Sequence, residues 1–533
     1  MATAKKPKKK YTLFTGKQLL WLIAPIVIES IFSTSLGLFD SMMVSGIDAA
    51  GNAGNAVSNV DQINNLIIQL FSAFATGGAI ITSQYLGARQ TDKANKSACH
   101  MVVIVLISSL SIAALCLILN TPVLKLFYGD VSEETFTYQR QYFYITVASF
   151  PFIGLFNGCA ALLRAQRKSF YTMLSAGISC VVNVALNALF IYGLKWAVLG
   201  AASATLISRV IPAVFMFVML ARKSNIVRVT PAAIFRFRFD GKMVKKILFI
   251  AIPSGIESCL FQLGKLLTNT FVNASCYVDY NIIPGKGVNL QANGNSIANN
   301  INNIASVVGS GVGTSALTVV GQAVGAGDMD QVKYYMKKMF IISYIANAAM
   351  VLLIMFSAHW LVRLYDYPDE AYDIALKCLY LCLSFQLVTY PLSFTTPAIL
   401  KATSDVKYVM YSAISSMIIL RVGICFLLTD DALLGVYNRL FGLDLTQGLG
   451  AWGFWIAMCA DWVGRSVLFV TRLLTGRWKK ASGLIAEEPR DRMSDAAFRQ
   501  SVRAGKKIEY SPYSRRHAKK YNKNKILSGA HRV

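Results

Sequence analysis

Asp40 interrupts the stretch SLGLFDSMMV, residues 35–44, inside an apolar run that begins near Leu19. A carboxylate at the centre of a bilayer costs about 2.5–3.5 kcal/mol on insertion scales, so such groups face a bundle interior or water and mark ion paths. Burial favours the neutral acid, and a bound cation favours the carboxylate. A group balanced between those states exchanges a proton for a cation, the elementary step of antiport. Glu29, eleven residues earlier, returns close to the same helical face about 16 Å away along the axis. Glu257 takes the equivalent place after Pro253 that Glu29 takes after Pro25. The two glutamates are either stations on a proton path or partners for freed backbone groups or a basic residue beside a proline kink. Lys265 and Arg421 are intramembrane cations. Arg421 keeps its proton and needs an acid, a carbonyl or an anionic ligand. Glu257 or Asp461 would make a structural pair, whereas a free charge between the two halves of the chain would recognise an anion. Asp461 and Arg465, spaced i, i+4, read as a mutual ion pair near the membrane edge.

The elements that position these groups are long apolar helices. Hydrophobic residues make up 55% of the 533 and charged residues 15%, with a mean hydropathy of +0.47, which excludes an ordinary soluble domain. Apolar segments recur near 17–45, 56–87, 96–121, 139–163, 170–193, 199–221, 247–274, 293–325, 338–364, 374–401, 406–428 and 450–473. Most reach the 18–20 or so residues that span a bilayer as a helix, giving about twelve transmembrane helices. They lack the alternation of barrel strands, and helices leave no backbone group unsatisfied in lipid.

The net charge of +26 is unevenly placed. Basic residues crowd the N-terminus (MATAKKPKKK), the stretch 221–246, the tail after Leu474, and the turns with Arg89, Lys93 and Lys96, with Arg164, Arg167 and Lys168, and with Lys333, Lys337 and Lys338. The opposite loops carry Asp130, Glu133, Glu134, Asp366, Asp369, Glu370, Asp373, Asp430 and Asp431. By the positive-inside bias both termini are cytoplasmic. The basic tails then meet anionic lipid headgroups rather than nucleic acid. The chain reads as a basic cytoplasmic N-terminus (1–16), an N-lobe (17–221), a basic cytoplasmic linker (222–246), a C-lobe (247–473) and a basic cytoplasmic tail (474–533). The opening apolar run is too long for a cleavable signal peptide. The ten cysteines are scattered and read as buried free thiols. Asn273-Ala274-Ser275 fits a glycosylation triplet, of weight only in a eukaryotic secretory setting.

The chain is written twice. SQYLGARQTDK at 83–93 matches GQAVGAGDMDQ at 321–331, setting Gln84, Gly87 and Ala88 over Gln322, Gly325 and Ala326. NAVSNVDQIN at 55–64 lies over NGNSIANNIN at 293–302, LLRAQ at 162–166 over ILKAT at 399–403, and PIVIES at 25–30 over PSGIES at 253–258. Two six-helix halves that start on the same side are parallel repeats, and in transporters built this way the path lies between them. The same register sets Arg421 on Asn183. The glycines of the SQYLGA and GQAVGA turns suit helix termination and close packing. Without a following G-K-[ST] they are not phosphate loops.

The pattern A-P-x-x-x-E-S…G-x-x-D-S-M-M-V-S, followed by G-G-A-I-I-T-S-Q-Y-L-G-A, resembles the multidrug and toxic compound extrusion (MATE) transporters, as does G-T-S-A-L-T-V-V-G-Q-A-V-G-A-G-D in the second half. The likeness runs over about 17–475. It implies an all-α membrane protein, a V-shaped pair of six-helix lobes, and cation-coupled efflux. In the family the acid at the position of Asp40 belongs to an N-lobe cation site with partners on helices five and six. Those positions offer Asn183 and Asn187, i, i+4 neighbours on one face, and Thr205. Several relatives carry a second carboxylate where Asn187 stands, so the coupling ion here is H⁺ or Na⁺. One branch carries acids in helices seven and ten. This chain has Phe261 and Gln262 near the first position and no acid in the tenth helix, so no C-lobe Na⁺ site is expected.

The expectation is a monomeric, multi-pass transporter of a bacterial cell membrane. It exports amphipathic, cationic organic compounds by H⁺- or Na⁺-coupled antiport and uses no cofactor. The alternative is a flippase for lipid-linked oligosaccharide precursors, whose cavity would be rich in cations. No ATPase module, Ser/His/Asp set or HExxH helix supports an enzyme, and the four histidines are far apart in sequence.

Overall fold

The structure, a computed structural model, describes residues 13–45, 52–128, 132–274, 279–283, 286–288, 290–365, 368–429 and 449–481. The side chains of 38–42, 45, 52, 270, 273–274, 480–481 and the two short strands lie outside that description. So do the basic N-terminus to residue 12, the tail from 482, Asp130, Asp366, Asp430 and Asp431. Asp40 is therefore placed by its backbone only, and the Asn273 triplet is outside the described side chains.

Among the described residues eleven helices are long and apolar enough to cross a membrane, and a bent pair, taken as one span, makes twelve. We number them α1 (Gly16–Ser45), α2 (Asn52–Gly87), α3 (Thr91–Ile118), α4 (Glu133–Ala148 and Phe150–Ala165, bent by 46°), α5 (Ser169–Gly193) and α6 (Ala197–Ala221). The second half has α7 (Gly241–Ala274), α8 (Leu290–Gly325), α9 (Met329–Val362), α10 (Asp369–Ala402), α11 (Val406–Thr429) and α12 (Ala451–Leu474). All twelve apolar segments of the sequence become spans. A short antiparallel hairpin, Asp279–Ile283 with Lys286–Val288, lies between α7 and α8 and departs from a purely helical chain. The outward faces are apolar: Ile118, Val181, Phe356 and Leu474 are largely exposed, which suits lipid and not water.

The helices are broken where the sequence forces it. Pro25, Pro212 and Pro253 sit inside helices, and each removes one backbone donor. Wide π-type turns interrupt α5 (Ala188–Gly193), α10 (Pro391–Thr395) and α11 (Met417–Gly423). Such turns gather at functional sites because they re-aim side chains and open carbonyls. Asn187 immediately precedes the first and Arg421 lies inside the third.

The stretch between the halves is folded onto the first of them. Val227 and Val229 are buried in the core of α2, α3, α4 and α6, and the Val227 amide donates to Gln166 Oε1 at 3.0 Å. His100 Nε2 accepts from the Asp240 amide at 3.1 Å. Lys96 Nζ lies 2.6 Å from Asp240 Oδ2, and that hydrogen bond holds the Asp240 carboxyl down at about 2. The basic segment is thus a fitted strap rather than a loose tether, and α7 begins at Gly241, earlier than the sequence suggests.

The halves meet through a reciprocal clasp at their basic ends. Gln84 Nε2 donates to the Ala402 carbonyl at 2.9 Å and to Ser404 Oγ at 3.2 Å. Its repeat counterpart Gln322 donates from Nε2 to the Ala165 carbonyl at 2.7 Å and accepts from Arg167 Nε and Nη2 at 3.1 and 2.7 Å. Arg167 and Ser404 both have left-handed backbones, φ 65° and 68°, at the ends of α4 and α10, so the two turns that receive the glutamines have the same shape. α2 and α8 cross so closely that glycine is required: a Cβ on Gly87 would stand 2.0 Å from the Gln322 carbonyl oxygen, and one on Gly325 would stand 1.8 Å from that of Gln84.

Gly325→Ala, and more strongly the double Gly87→Ala/Gly325→Ala, should prise this end apart. Double electron–electron resonance between spin labels at the exposed positions Asp92 and Lys333 should show a longer, broader distance distribution than the native chain; an unchanged distribution would contradict the clasp.

Candidate functional site

The N-lobe holds a buried polar cluster. Asn183, Asn187, Thr205 and Ser208 are each buried, at most 4% exposed. Asn187 Nδ2 donates to Asn183 Oδ1 at 3.1 Å, Asn183 Nδ2 donates to Ser208 Oγ at 3.4 Å, and Ser208 Oγ donates to the Thr205 carbonyl at 2.9 Å. These bonds link the cluster into one chain, and Thr205 Oγ1 has no hydrogen-bond partner among the described residues. Amide and hydroxyl oxygens are hard ligands, suited to Na⁺ or to a carboxylic acid proton. α1 and α5 run side by side. Phe32 packs 3.5 Å from the Cβ position of Gly177, and Tyr192 Oη donates to the Met43 carbonyl at 3.1 Å. Between those two contacts, the backbone of Asp40 runs level with the Asn183–Asn187 turn, at a rise of about 1.5 Å per residue.

Glu29 is engaged deeper in the same lobe. Arg164 Nη2 donates to its Oε1 at 2.6 Å and Thr172 Oγ1 donates to its Oε2 at 2.6 Å. In the C-lobe, Lys401 Nζ lies 2.8 Å from Glu257 Oε2. Glu29 and Glu257 are repeat partners, and so are Arg164 and Lys401. The two halves therefore carry the same ion pair between the first and fourth helix of each, beside the same proline. Single bridges in such low-dielectric sites are costly to break because the remaining charge has no solvent.

The C-lobe differs in charge. Phe261 is a hub for three cations: Lys265 Nζ, Arg421 Cζ and Arg465 Cζ lie 5.4, 5.0 and 4.8 Å from its ring centroid, within cation–π range. Arg465 also lies over Phe394 at 5.4 Å. Asp461 serves both guanidiniums. It accepts from Arg465 Nε at 3.0 Å and again from Arg465 Nη2, lies 3.3 Å from Arg421 Nε, and accepts from Ser416 Oγ at 2.8 Å. Arg421 is thus interior to the C-lobe, 1% exposed, rather than a charge between the lobes. The Asp461–Arg465 pair corrects a second expectation. It forms as its spacing predicts, but in the middle of α12 and buried, not at a membrane edge.

These groups wall a cavity of about 430 Å³ reached by Lys265, Phe261, Arg465, Glu257, Lys401 and Tyr390, and by Gln69 and Thr76 from α2 of the other lobe. Sequence reasoning missed Phe261 as a hub and Arg465 as a lining group. The available signal was Phe261 one helical turn before Lys265, and the three intramembrane cations Lys265, Arg421 and Arg465 set against two acids, Glu257 and Asp461, on α7, α11 and α12.

A family model described as MatE matches residues 25–189 and 293–427, more than half of the chain and one segment in each lobe. The chain belongs to the MATE family. MATE proteins are transporters, so this is a multi-pass membrane transporter and not an enzyme. Among its relatives, the uncharacterized transporter YisQ of Bacillus subtilis is 27% identical over 485 residues, 89% of this chain and 96% of that one. The probable multidrug resistance protein NorM of Thermotoga maritima is 22% identical over 483 residues, again 89% and 96%. A solved structure described as an outward-facing multidrug resistance MATE family transporter shares the fold with a TM-score of 0.75 at 21% identity, covering 91% of this chain and 100% of that one. A transporter of the MOP superfamily from Pyrococcus furiosus, described as having a binding pocket of reversed polarity, shares it at 0.74 and 22% identity, covering 90% and 99%.

Arg164→Ala in this MATE protein should lower stability by about 3–5 kcal/mol because it strands the buried Glu29, and Arg164→Ala/Glu29→Gln should recover a good part of the loss. Thermal unfolding in detergent reads both; a single variant as stable as the native chain would contradict the buried pair.

Proposed function

We propose that the protein exports amphipathic organic compounds by alternating access, driven by antiport of H⁺ or Na⁺ through the N-lobe. The observation that carries this reading is the buried oxygen-rich cluster of Asn183, Asn187, Thr205 and Ser208 set level with the backbone of Asp40. Asp40 binds the coupling cation as a carboxylate and releases it on protonation. The amides and the Thr205 hydroxyl supply neutral oxygens whichever ion is bound. Asn187 in place of a second acid leaves a single titrating charge, so one ion moves per cycle. Its available drive is about 2.3 kcal/mol per charge per 100 mV.

The basic end is the cytoplasmic one by the positive-inside bias. Both termini then face the cytoplasm of a bacterial cell, and the basic loops meet anionic headgroups. A clasp closed at that end supports reading this state as open toward the outside. Release of Gln84 and Gln322 from the facing carbonyls is the step that would open the inner side, and neither lobe needs a partner subunit to make it. The sequence favours cationic cargo, but the charges around Phe261 argue against a cation lodging in the C-lobe. The same charges favour the second reading, a flippase for phosphate-bearing lipid-linked precursors.

Proteoliposomes with an imposed H⁺ or Na⁺ gradient should accumulate an exported dye in native form. They should lose gradient-driven accumulation by at least about tenfold in Asp40→Asn, while Asn187→Asp keeps transport and changes its pH or Na⁺ dependence. Accumulation that survives Asp40→Asn unchanged would refute the coupling assignment. Lipid-precursor translocation without dye transport would select the flippase.

A further inference from the structure

We infer that the C-lobe cavity is an anion subsite: Lys265 and Arg465, seated on the faces of Phe261 and Phe394, receive a carboxylate, phosphate or sulfate group of an amphipathic substrate whose apolar body lies along Tyr390 and Phe394. The inference rests on the transport reading above and narrows its substrate class.

Charge balance decides it. Around Phe261 stand Lys265, Arg421 and Arg465, with Asp461 as the one carboxylate bonded into the group. The other acid of the cavity wall, Glu257, is engaged by Lys401 at 2.8 Å. Among the described residues Lys265 has no carboxylate partner, and its side chain reaches open cavity. The remaining walls are neutral: Gln69 and Thr76 on α2, Ser310 and Thr314 on α8. A cation entering here would meet uncompensated positive charge at low dielectric. An anion would gain charge-assisted bonds from Lys265 and Arg465.

The geometry also separates anchor from acceptor. Arg421 is spent, buried against Asp461 and Phe261, and it is absent from the lining. Arg465 is tethered by Asp461 through Nε and Nη2, which fixes the guanidinium while it borders the cavity. Lys265 is the untethered charge, on a flexible stem, one turn beyond Phe261. The aromatic floor continues through the stacked pair Tyr390 and Phe394, centroids 4.5 Å apart, which suits a flat apolar body attached to the anion. At the repeat position of Arg421 the N-lobe has the neutral Asn183, so the positive cluster has no counterpart there.

The test uses the full chain in phosphatidylcholine nanodiscs with no ion gradient and two probes that share a hydrophobe, 1-pyrenebutyrate and 1-pyrenebutyltrimethylammonium. Titration calorimetry should find the anion bound about tenfold more tightly than the cation, the worth of one charge-assisted bond. Lys265→Gln should abolish that preference, Lys265→Glu should reverse it, and Lys265→Arg should keep it. Unfolding temperatures of the variants should stay close to native, since no ion pair is removed. Preference for the ammonium probe in the native chain, or a ratio indifferent to Lys265→Glu, would overturn the subsite. Repeating the titration with phosphatidylglycerol in the disc identifies the source of the anion. Competition lost in Lys265→Gln marks a lipid headgroup, and absence of competition marks a soluble amphiphile; either result upholds the subsite. Because the reading is of binding alone, a failure of ion coupling leaves it intact, and a failure of anion preference leaves the coupling site intact.

Discussion

An ionised side chain in a bilayer needs an answer from the protein, and how each charge is answered organises this molecule. Glu29 is answered by Arg164 and Thr172, Glu257 by Lys401, and Asp461 by two arginines and Ser416. These pairs pin the proline-bearing first helix of each lobe to the fourth, and α12 to α11. What remains unanswered is then informative: a positive surplus at Phe261 in one lobe, and in the other a neutral oxygen cluster level with Asp40.

The lobes descend from one sequence and have kept its framework while diverging in charge. The clasp shows the retained part most clearly. Gln84 and Gln322 swap roles across the pseudo-two-fold, each reaching a carbonyl that the other lobe presents. Gly87 and Gly325 permit the close crossing that makes this reach short enough. In the alternating-access cycle proposed above, such a contact is made and broken as a unit. Amide-to-carbonyl bonds suit it, because they cost less than an ion pair to desolvate each time they close; Arg167 adds a charged donor to the Gln322 side.

The fold was largely legible in the sequence because lipid leaves the chain few choices. Twelve apolar stretches became twelve spans, and the repeat placed Gln84 over Gln322 before any contact was known. The clasp was not legible, because the receiving carbonyls of Ala165 and Ala402 are backbone groups that carry no residue-type signal. Basic partners for Glu29 and Glu257 could be anticipated as one alternative, but choosing Arg164 and Lys401 needed the packing of first against fourth helix. The depth of Asp461 misled for a simple reason. An i, i+4 pair looks alike at the edge and at the centre of a span, and only Arg421 from α11 reveals which. Phe261 was passed over because an aromatic residue in an apolar helix reads as packing until three cations are found within cation–π range of it.

The distribution of answered and unanswered charge is what the account depends on. A cryo-electron-microscopy map of the full chain in lipid nanodiscs, at a resolution that shows side chains and ordered solvent, tests it most directly. The account predicts equivalent Glu29–Arg164 and Glu257–Lys401 pairs, with the Lys265 ammonium facing ordered water or a bound anion beside Arg465. A protein carboxylate inserted against Lys265, or that lysine withdrawn from the cavity into lipid, would contradict it.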